Sequence, residues 1–456
     1  MKDSASFRDP AGFVYYENGI VRRRINAVYM PVYRKLIDSG LYKHLVKSGC
    51  LIPHRELPGT PDNSSGLDIS PRKIPLITYP YEWSFGMLRD AALLTLRIHL
   101  ESLNFGMGLK DATAFNIQFV GCHPVFIDTL SFDLYEKGVP WGAYAQFCRH
   151  FLAPLMLMKH MDVRLNQLLR IFPDGIPLDL ADTLLRGHGG LASWMHIHLH
   201  AKMIRRHSCD NSSPGTGKVP PPLSLEKHIR IVQNLYAVIE KMKYRKIHSE
   251  WSDYYCGTNY SSCSAEHKSA VVDDFLRTIR CRRIFDFGAN DGRYTRIALK
   301  YGVDFTAAVD SDHDAVEFNY QNGRASGENI IPLFNDLNNP SAGVGFAGEE
   351  RLSLIERGKP DCIMMLAVIH HMAISNNLPL DKIAEWLSRI APYIIIEFVP
   401  KEDSQVQRLL ACRKDIFHEY DIANFEETFS RYFKIKNKIE LTGSCRTLYL
   451  LNRAGR

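Results

Sequence analysis

Residues 283–295 read Arg283-Ile-Phe-Asp-Phe-Gly-Ala-Asn-Asp-Gly-Arg-Tyr-Thr295. A short apolar run ends in Asp286, a turn passes through Gly288 and Gly292, and a helix is predicted to follow. Glycine lets a backbone come close to a ligand, and the first turn of the next helix aims free N–H groups at it. About twenty residues on, Ala307-Ala-Val-Asp310 is a second apolar strand ending in an acid, placed to accept the two hydroxyls of a ribose. Together these make a nucleotide-binding α/β unit.

Two common nucleotide signatures are absent. A dinucleotide fingerprint needs G-x-G-x-x-G, but Ala289, Asn290, Asp291 and Gly292 follow Gly288. No Gly-Lys-Ser/Thr of a phosphate-binding loop follows the turn either. The string Asp-x-Gly-x-Asn-x-Gly resembles motif I of class I S-adenosylmethionine-dependent methyltransferases, in which Asn often stands for the middle glycine, here Asn290. That resemblance implies Asp286 near the methionine end of the cofactor, Gly288 and Gly292 beneath it, and Asp310 on the ribose.

The alternation of strand and helix continues. A helix is predicted over His313–Arg324 and a strand over Asn329–Phe334, followed by Asn335-Asp336. The resemblance implies that Asp336 accepts from the adenine amino group; a turn-capping Asp is the other reading. Asp361-Cys-Ile-Met-Met-Leu-Ala-Val-Ile-His-His371 is a fourth strand running to the rim where open α/β sheets bind ligands. His370 and His371 are the candidate catalytic residues there, since a histidine can take the acceptor's proton. A packing or cofactor-contact role is the alternative. Leu380–Ile390 is a helix and Tyr393–Phe398 a fifth strand, with Glu397, Lys401 and Asp403 as candidate acceptor contacts. Lys436–Leu441 and Arg446–Asn452 close a seven-stranded sheet.

The 456 residues allow two to three domains at roughly 100–200 residues each. A formal charge of +6 is small for that length, and the basic residues are scattered, so nucleic acid is not implied. The cluster Arg22-Arg23-Arg24 reads as a solvated helix face. No apolar run reaches the ~18–20 residues of a membrane span, and Phe151–Met158 reads as a buried helix. The first ten residues lack a signal-peptide core. Ten cysteines without a C-x-x-C pair suit free thiols in the cytoplasm.

Toward the N-terminus, helices are predicted from Arg23 to Gly40 and on to Lys47, a surface loop over Leu57–Lys73, and a short strand within Ile74–Trp83. Ser84 caps a long helix running to Asn104. Asp111 and Asn116 then stand in D-x-x-x-x-N spacing, with Asp128 ending a strand twelve residues later. This pattern resembles the catalytic loop and metal-binding strand of kinase-like phosphotransferases. It departs from them at Leu109, Lys110 and Asp128-Thr-Leu, and no glycine-rich phosphate loop precedes it. An unrelated domain in which Asp111 and Asn116 cap turns is the other reading. The alternating His196, His198 and His200 lack acidic or thiol neighbours to complete a ligand set, so no metal site is assigned. The Pro/Gly/Ser-rich residues 206–223 read as a linker, and Ser224 as the cap of an amphipathic helix. Trp251, Tyr255 and Tyr260 are either a lid over the cofactor or packing residues.

The strings Asp-Ala-Thr-Ala-Phe-Asn-Ile-Gln-Phe and Ile-Asp-Thr-Leu-Ser-Phe, joined to this C-terminal half, resemble a bacterial two-part family, that of the rhizobial host-specific nodulation protein NoeA. The expectation is an α/β fold with three parts. Residues 1–205 form an α+β accessory domain, kinase-like or otherwise, 206–223 a linker, and 224–456 a Rossmann-like seven-stranded class I methyltransferase domain. The resemblance implies a cytoplasmic enzyme using S-adenosyl-L-methionine on a small-molecule or glycan-type acceptor selected by the N-terminal domain. A phosphotransferase built on Asp111, Asn116 and Asp128, or a non-catalytic cofactor-binding protein, are the alternatives.

Overall fold

In the computed structural model, residues 2–58, 66–188, 190, 194–198, 201, 222–247, 262–411 and 413–454 are described. The chain forms two compact units, Met1–Arg245 with Gly343–Leu352, and Lys246–Ala342 with Ser353–Arg456.

The first unit begins with four antiparallel strands, β1 (Gly12–Glu17), β2 (Ile20–Ile25), β3 (His54–Glu56) and β4 (Leu67–Pro71), in the order β1-β2-β4-β3. Asn18 and Gly19 both take left-handed backbone, φ 50° and 75°, and close β1 and β2 into a two-residue hairpin. Arg22–Arg24 therefore lie on a strand, not on the expected helix face. Helices follow at Met30–Asp38 and Leu41–Lys47. The loop expected over 57–73 contains β4, whose Leu67 and Ile69 are buried. The strand expected within 74–83 does not form: Pro75 and Pro80 supply no ladder donors, and Pro80–Glu82 is a 3₁₀ turn.

Ser84 caps the helix Phe85–Leu103, its Oγ accepting from the Met87 N–H. Beyond it, β5 (Met107–Leu109) pairs with β8 (Phe132–Leu134), and β6 (Ile117–Val120) with β7 (His123–Phe126). Residues 148–160 are a continuous π- and α-helical run in which Phe151–Met158 are buried. The helix Leu225–Glu240, capped by Ser224, packs on Phe85–Leu103, and the Nε2 atoms of His99 and His228 lie 2.9 Å apart in that seam. Residues 224–245, expected with the C-terminal half, thus belong by contact to the first unit. Of the expected linker, 206–221 lie outside the described residues.

The second unit contains seven strands: β9 (Arg283–Phe287), β10 (Phe305–Asp310), β11 (Ile330–Phe334), β12 (Cys362–Met365), β13 (Tyr393–Phe398), β14 (Phe433–Glu440) and β15 (Thr447–Arg453). Their order is β11-β10-β9-β12-β13-β15-β14. β9 to β13 are parallel, and β15 runs antiparallel to β13 and to β14. This is a Rossmann-like sheet with a reversed strand near one edge. Helices on both faces bury the parallel strands, which accounts for their unbroken apolar runs. The order reverses at β9, flanked by β10 and β12, and that switch point opens a crevice at the carboxyl ends of the strands.

Candidate functional site

A cavity of about 400 Å³ lies at that switch point. Its wall begins where β9 ends. Gly288 and Asn290 both adopt left-handed backbone, φ 74° and 48°, folding the chain back over the strand. A Cβ on Gly288 would stand 2.3 Å from Cγ2 of Val368, so no side chain fits between the two loops. The Asn290 N–H donates to Oδ2 of Asp310 at 2.8 Å, and the Asp312 N–H to Oδ1 at 2.9 Å. The motif I turn and the acid closing β10 are therefore locked together, with the Asp310 carboxylate held at the cavity wall.

Of the predicted site residues, Asp286, Gly288, Asn290, Asp310, Asp336 and His371 line the cavity. Gly292 does not. It starts the helix Arg293–Leu299, and a Cβ there would meet Oδ1 of Asn319 at 2.3 Å, so its lack of a side chain serves the turn. His370 is also outside the cavity wall, only 1% exposed, with Nδ1 unpartnered. Asp336 lies on the wall, its Oδ1 accepting from the backbone and side chain of Asn338.

Burial dominates the electrostatics. Asp286 is 1% exposed and receives one bond, from the Thr295 hydroxyl at 2.6 Å. Its carboxyl is pushed up to about 7, chiefly by burial and secondarily by the Asp310 charge. Burial likewise raises Asp310 to about 6 against the backbone N–H groups that stabilise its charge. His371 is lowered to about 4 by burial and by Arg446. His370 falls well below the ordinary value through burial, then through His371, Arg446 and Lys268. At neutral pH both imidazoles are uncharged, and of the two His371 faces the cavity.

Sequence reasoning missed Lys268. It comes from the helix Ser262–Ile279, lines the cavity, and donates to Oε2 of Glu397 at 2.7 Å. A signal existed: Ser264, Lys268, Val271, Val272 and Phe275 are all buried at helical spacing, so a lysine stands on the apolar stripe. The three proposed acceptor contacts lie elsewhere. Glu397 is engaged by Lys268, Asp403 by Arg446 at 2.7 Å, and Lys401 by Asp415 at 2.8 Å, and none lines the cavity. Trp251, Tyr255 and Tyr260 lie outside the described residues.

Comparison with known proteins gives one strong match. Over 463 residues the chain is 33% identical to Nodulation protein NoeA of Rhizobium meliloti (strain 1021), covering 99% of this chain and 96% of that one. The chain belongs to the NoeA family. No family model matches. Among solved structures, N-methyltransferase NodS from Bradyrhizobium japonicum WM9 with S-adenosyl-l-homocysteine is 8% identical, covering 46% of this chain and 96% of that one, with a TM-score of 0.34. Magnesium protoporphyrin IX methyltransferase (ChlM) from Synechocystis PCC 6803 with bound SAM is 13% identical, covering 45% and 90%, with a TM-score of 0.30. At these values neither likeness adds to the strand order described above.

In the first unit of this NoeA-family chain, the Asp111, Asn116 and Asp128 pattern does come together, but as a closed network. Arg23 pairs with Oδ1 of Asp128 at 2.5 Å, and the Ser131 hydroxyl donates to Oδ2 at 2.6 Å while accepting from Asn116 Nδ2 at 2.9 Å. Burial and the Asp128 charge raise Asp111. A cation at Asp128 would have to displace the Arg23 guanidinium. The histidine tract is spoken for as well: His196 meets Tyr144 and Asn234, and His198 meets Asp182. His200 lies outside the described residues.

Proposed function

We propose that the second unit is an S-adenosylmethionine-dependent methyltransferase. The observation that carries this reading is Asp310, an acid closing β10 at the switch point, with its carboxylate oriented by two backbone N–H groups at the cavity wall. The residues present fit the cofactor. Asp310 offers carboxylate oxygens to a ribose diol, Asp336 and Asn335 offer polar atoms to an adenine edge, and Leu366 and Met372 provide apolar surface. When bound, S-adenosylmethionine supplies a methyl group activated on a sulfonium.

This chain's own residues then do three things. The Gly288 turn, packed against Val368, forms one wall of the crevice. Asp310 and Asp336 fix the orientation of what lies in it, which is the main source of rate in a one-step displacement. His371, uncharged at neutral pH, accepts the acceptor's proton at a ring nitrogen. His370 packs behind it, ring centroids 4.0 Å apart, and holds its orientation.

The acceptor we propose is a small molecule of glycan type, and the nodulation name of the relative supports a role in making a secreted signal. We place the enzyme in the cytoplasm, where the free thiols among the described residues persist reduced. Among the described residues no helix is long and apolar enough to cross a membrane.

Calorimetry with S-adenosylhomocysteine tests the reading. The wild type is expected to bind, and Asp310→Ala to bind at least ten-fold more weakly. A folded wild type that binds no S-adenosylhomocysteine would overturn it.

A further inference from the structure

The turn that carries His371 is built in an uncommon way. Over His371–Ser375 the chain makes a π turn, in which the His371 carbonyl accepts from the Asn376 N–H at 3.2 Å and from the Asn376 side-chain amide at 2.9 Å. This turn and its closing residue place four groups on the cavity wall: His371, Met372, Ser375 and Asn376. A π turn holds one residue more than an α turn, and single turns of this kind are found mostly at functional sites. Closing it with the α spacing would rotate everything beyond it by about one residue's step, roughly 100°, relative to His371.

Arg413 closes that turn from another element. It follows the helix Ser404–Ala411, which comes after β13 and contributes Leu409 to the same cavity. Its Nη1 donates to the Ile374 carbonyl and, at 3.3 Å, to the Ser375 carbonyl, and its Nη2 to Oδ1 of Asn377 at 2.7 Å. Those two carbonyls end the turn, where no further helical N–H groups follow to satisfy them. Asn377 takes the chain away in left-handed backbone, φ 55°. A planar cation with a fork of donors suits adjacent carbonyls at a helix C-terminus, and its charge strengthens each bond. The hydrogen bonds go only to neutral oxygens, and the guanidinium lies 5.0 Å over the Phe417 ring. Among the described residues no carboxylate pairs with it.

We infer that Arg413 is a positioning residue, a latch that holds the π turn in the spacing that presents His371 to the cavity beside Ser375 and Asn376. The inference goes beyond the methyltransferase reading and rests on it for what His371 does. Arg413 does not itself line the cavity, so its effect passes through the turn. Losing the latch misplaces the proton acceptor and leaves Asp310 and Asp336 as they are.

Hydrogen exchange resolved to single amides reads the latch directly. The Asn376 N–H closes the π turn, and the Leu378 N–H donates to the Met372 carbonyl at 3.1 Å. In Arg413→Ala both amides are expected to exchange about ten-fold faster or more, and His371 to react about five-fold faster with diethyl pyrocarbonate. S-adenosylhomocysteine affinity, by calorimetry, is expected to stay within about three-fold of wild type. Arg413→Met, which keeps a long chain against Phe417 but donates no hydrogen bond, is expected to match Arg413→Ala. Arg413→Lys, a cation without the fork, is expected to recover part of the lost protection. Wild-type exchange in Arg413→Met overturns the latch and leaves the cofactor reading standing. So does exchange that rises throughout the second unit together with lost affinity, which marks a general packing role. A wild type that binds no S-adenosylhomocysteine overturns the cofactor reading, and the role given to Arg413 with it.

Discussion

Replacing Asp286 by Asn is expected to make the ligand-free protein more stable at alkaline pH while impairing its site. In the fold, burial lifts this carboxyl from its ordinary 3.8 to about 7. The folded protein therefore holds a proton that the unfolded chain releases, and stability falls as pH rises between those two values. At about 1.4 kcal/mol per pH unit, the full span amounts to roughly 4 kcal/mol against folding above pH 7. At pH 5 only about the first 1.5 kcal/mol has been lost. Asn is close in shape and still accepts from the Thr295 hydroxyl, but it never carries the charge. Urea unfolding of the second unit, followed at pH 5, 6, 7 and 8 without ligand, should show the wild type losing about 3 kcal/mol relative to Asp286→Asn across that range. S-adenosylhomocysteine binding by the variant should be at least ten-fold weaker at pH 8. Parallel pH profiles for the two proteins would refute the argument, because they would mean that Asp286 carries its charge in the fold at no cost.

Other consequences follow from the same geometry. Asp286 and Asp310 are raised to about 7 and about 6, and both are favoured as anions by a ligand ammonium or ribose hydroxyls. S-adenosylhomocysteine should therefore release protons on binding at pH 6.5, read as a dependence of the calorimetric enthalpy on buffer ionisation heat, and should bind more weakly as pH falls from 8 to 5. Gly288→Ala places a methyl 2.3 Å from Val368 in left-handed backbone, and should lower the thermal midpoint and remove measurable binding. With an acceptor in hand, His371→Asn should lower kcat about 10²-fold or more with the donor KM little changed. Asp128→Asn weakens the partner of the largely buried Arg23, and should cost about 2–4 kcal/mol in chemical denaturation, while leaving S-adenosylhomocysteine affinity unchanged.

The second unit was largely legible from the chain because its signals are local. Asp286, Gly288 and Asn290 lie within five residues of one another, and a glycine turn between an apolar strand and a helix has few alternatives. Buried parallel strands read as unbroken apolar runs, so β13 and the helix Leu380–Ile390 fall where they were expected. The first unit was harder. Its strands β3 and β4 are short, at three and five residues, and carry little periodicity. The Asn18-Gly19 pair is a local hairpin signal, but the arginine run Arg22–Arg24 that follows it has the charge pattern of a solvated helix face and so hides the strand.

What the sequence determined by itself is the order of strands and turns and the identity of Asp310, because those follow from local backbone preference and burial period. Only the tertiary structure decided which of two adjacent histidines faces the cavity and that Glu397 and Asp403 are consumed by internal ion pairs. It also brought Lys268 to the cavity wall. The partners in those pairs are 129 and 43 residues apart. Whether a charged side chain is spent on a neighbour or left facing a ligand depends on which groups share its low-dielectric surroundings. That is a property of packing, and no spacing along the chain encodes it.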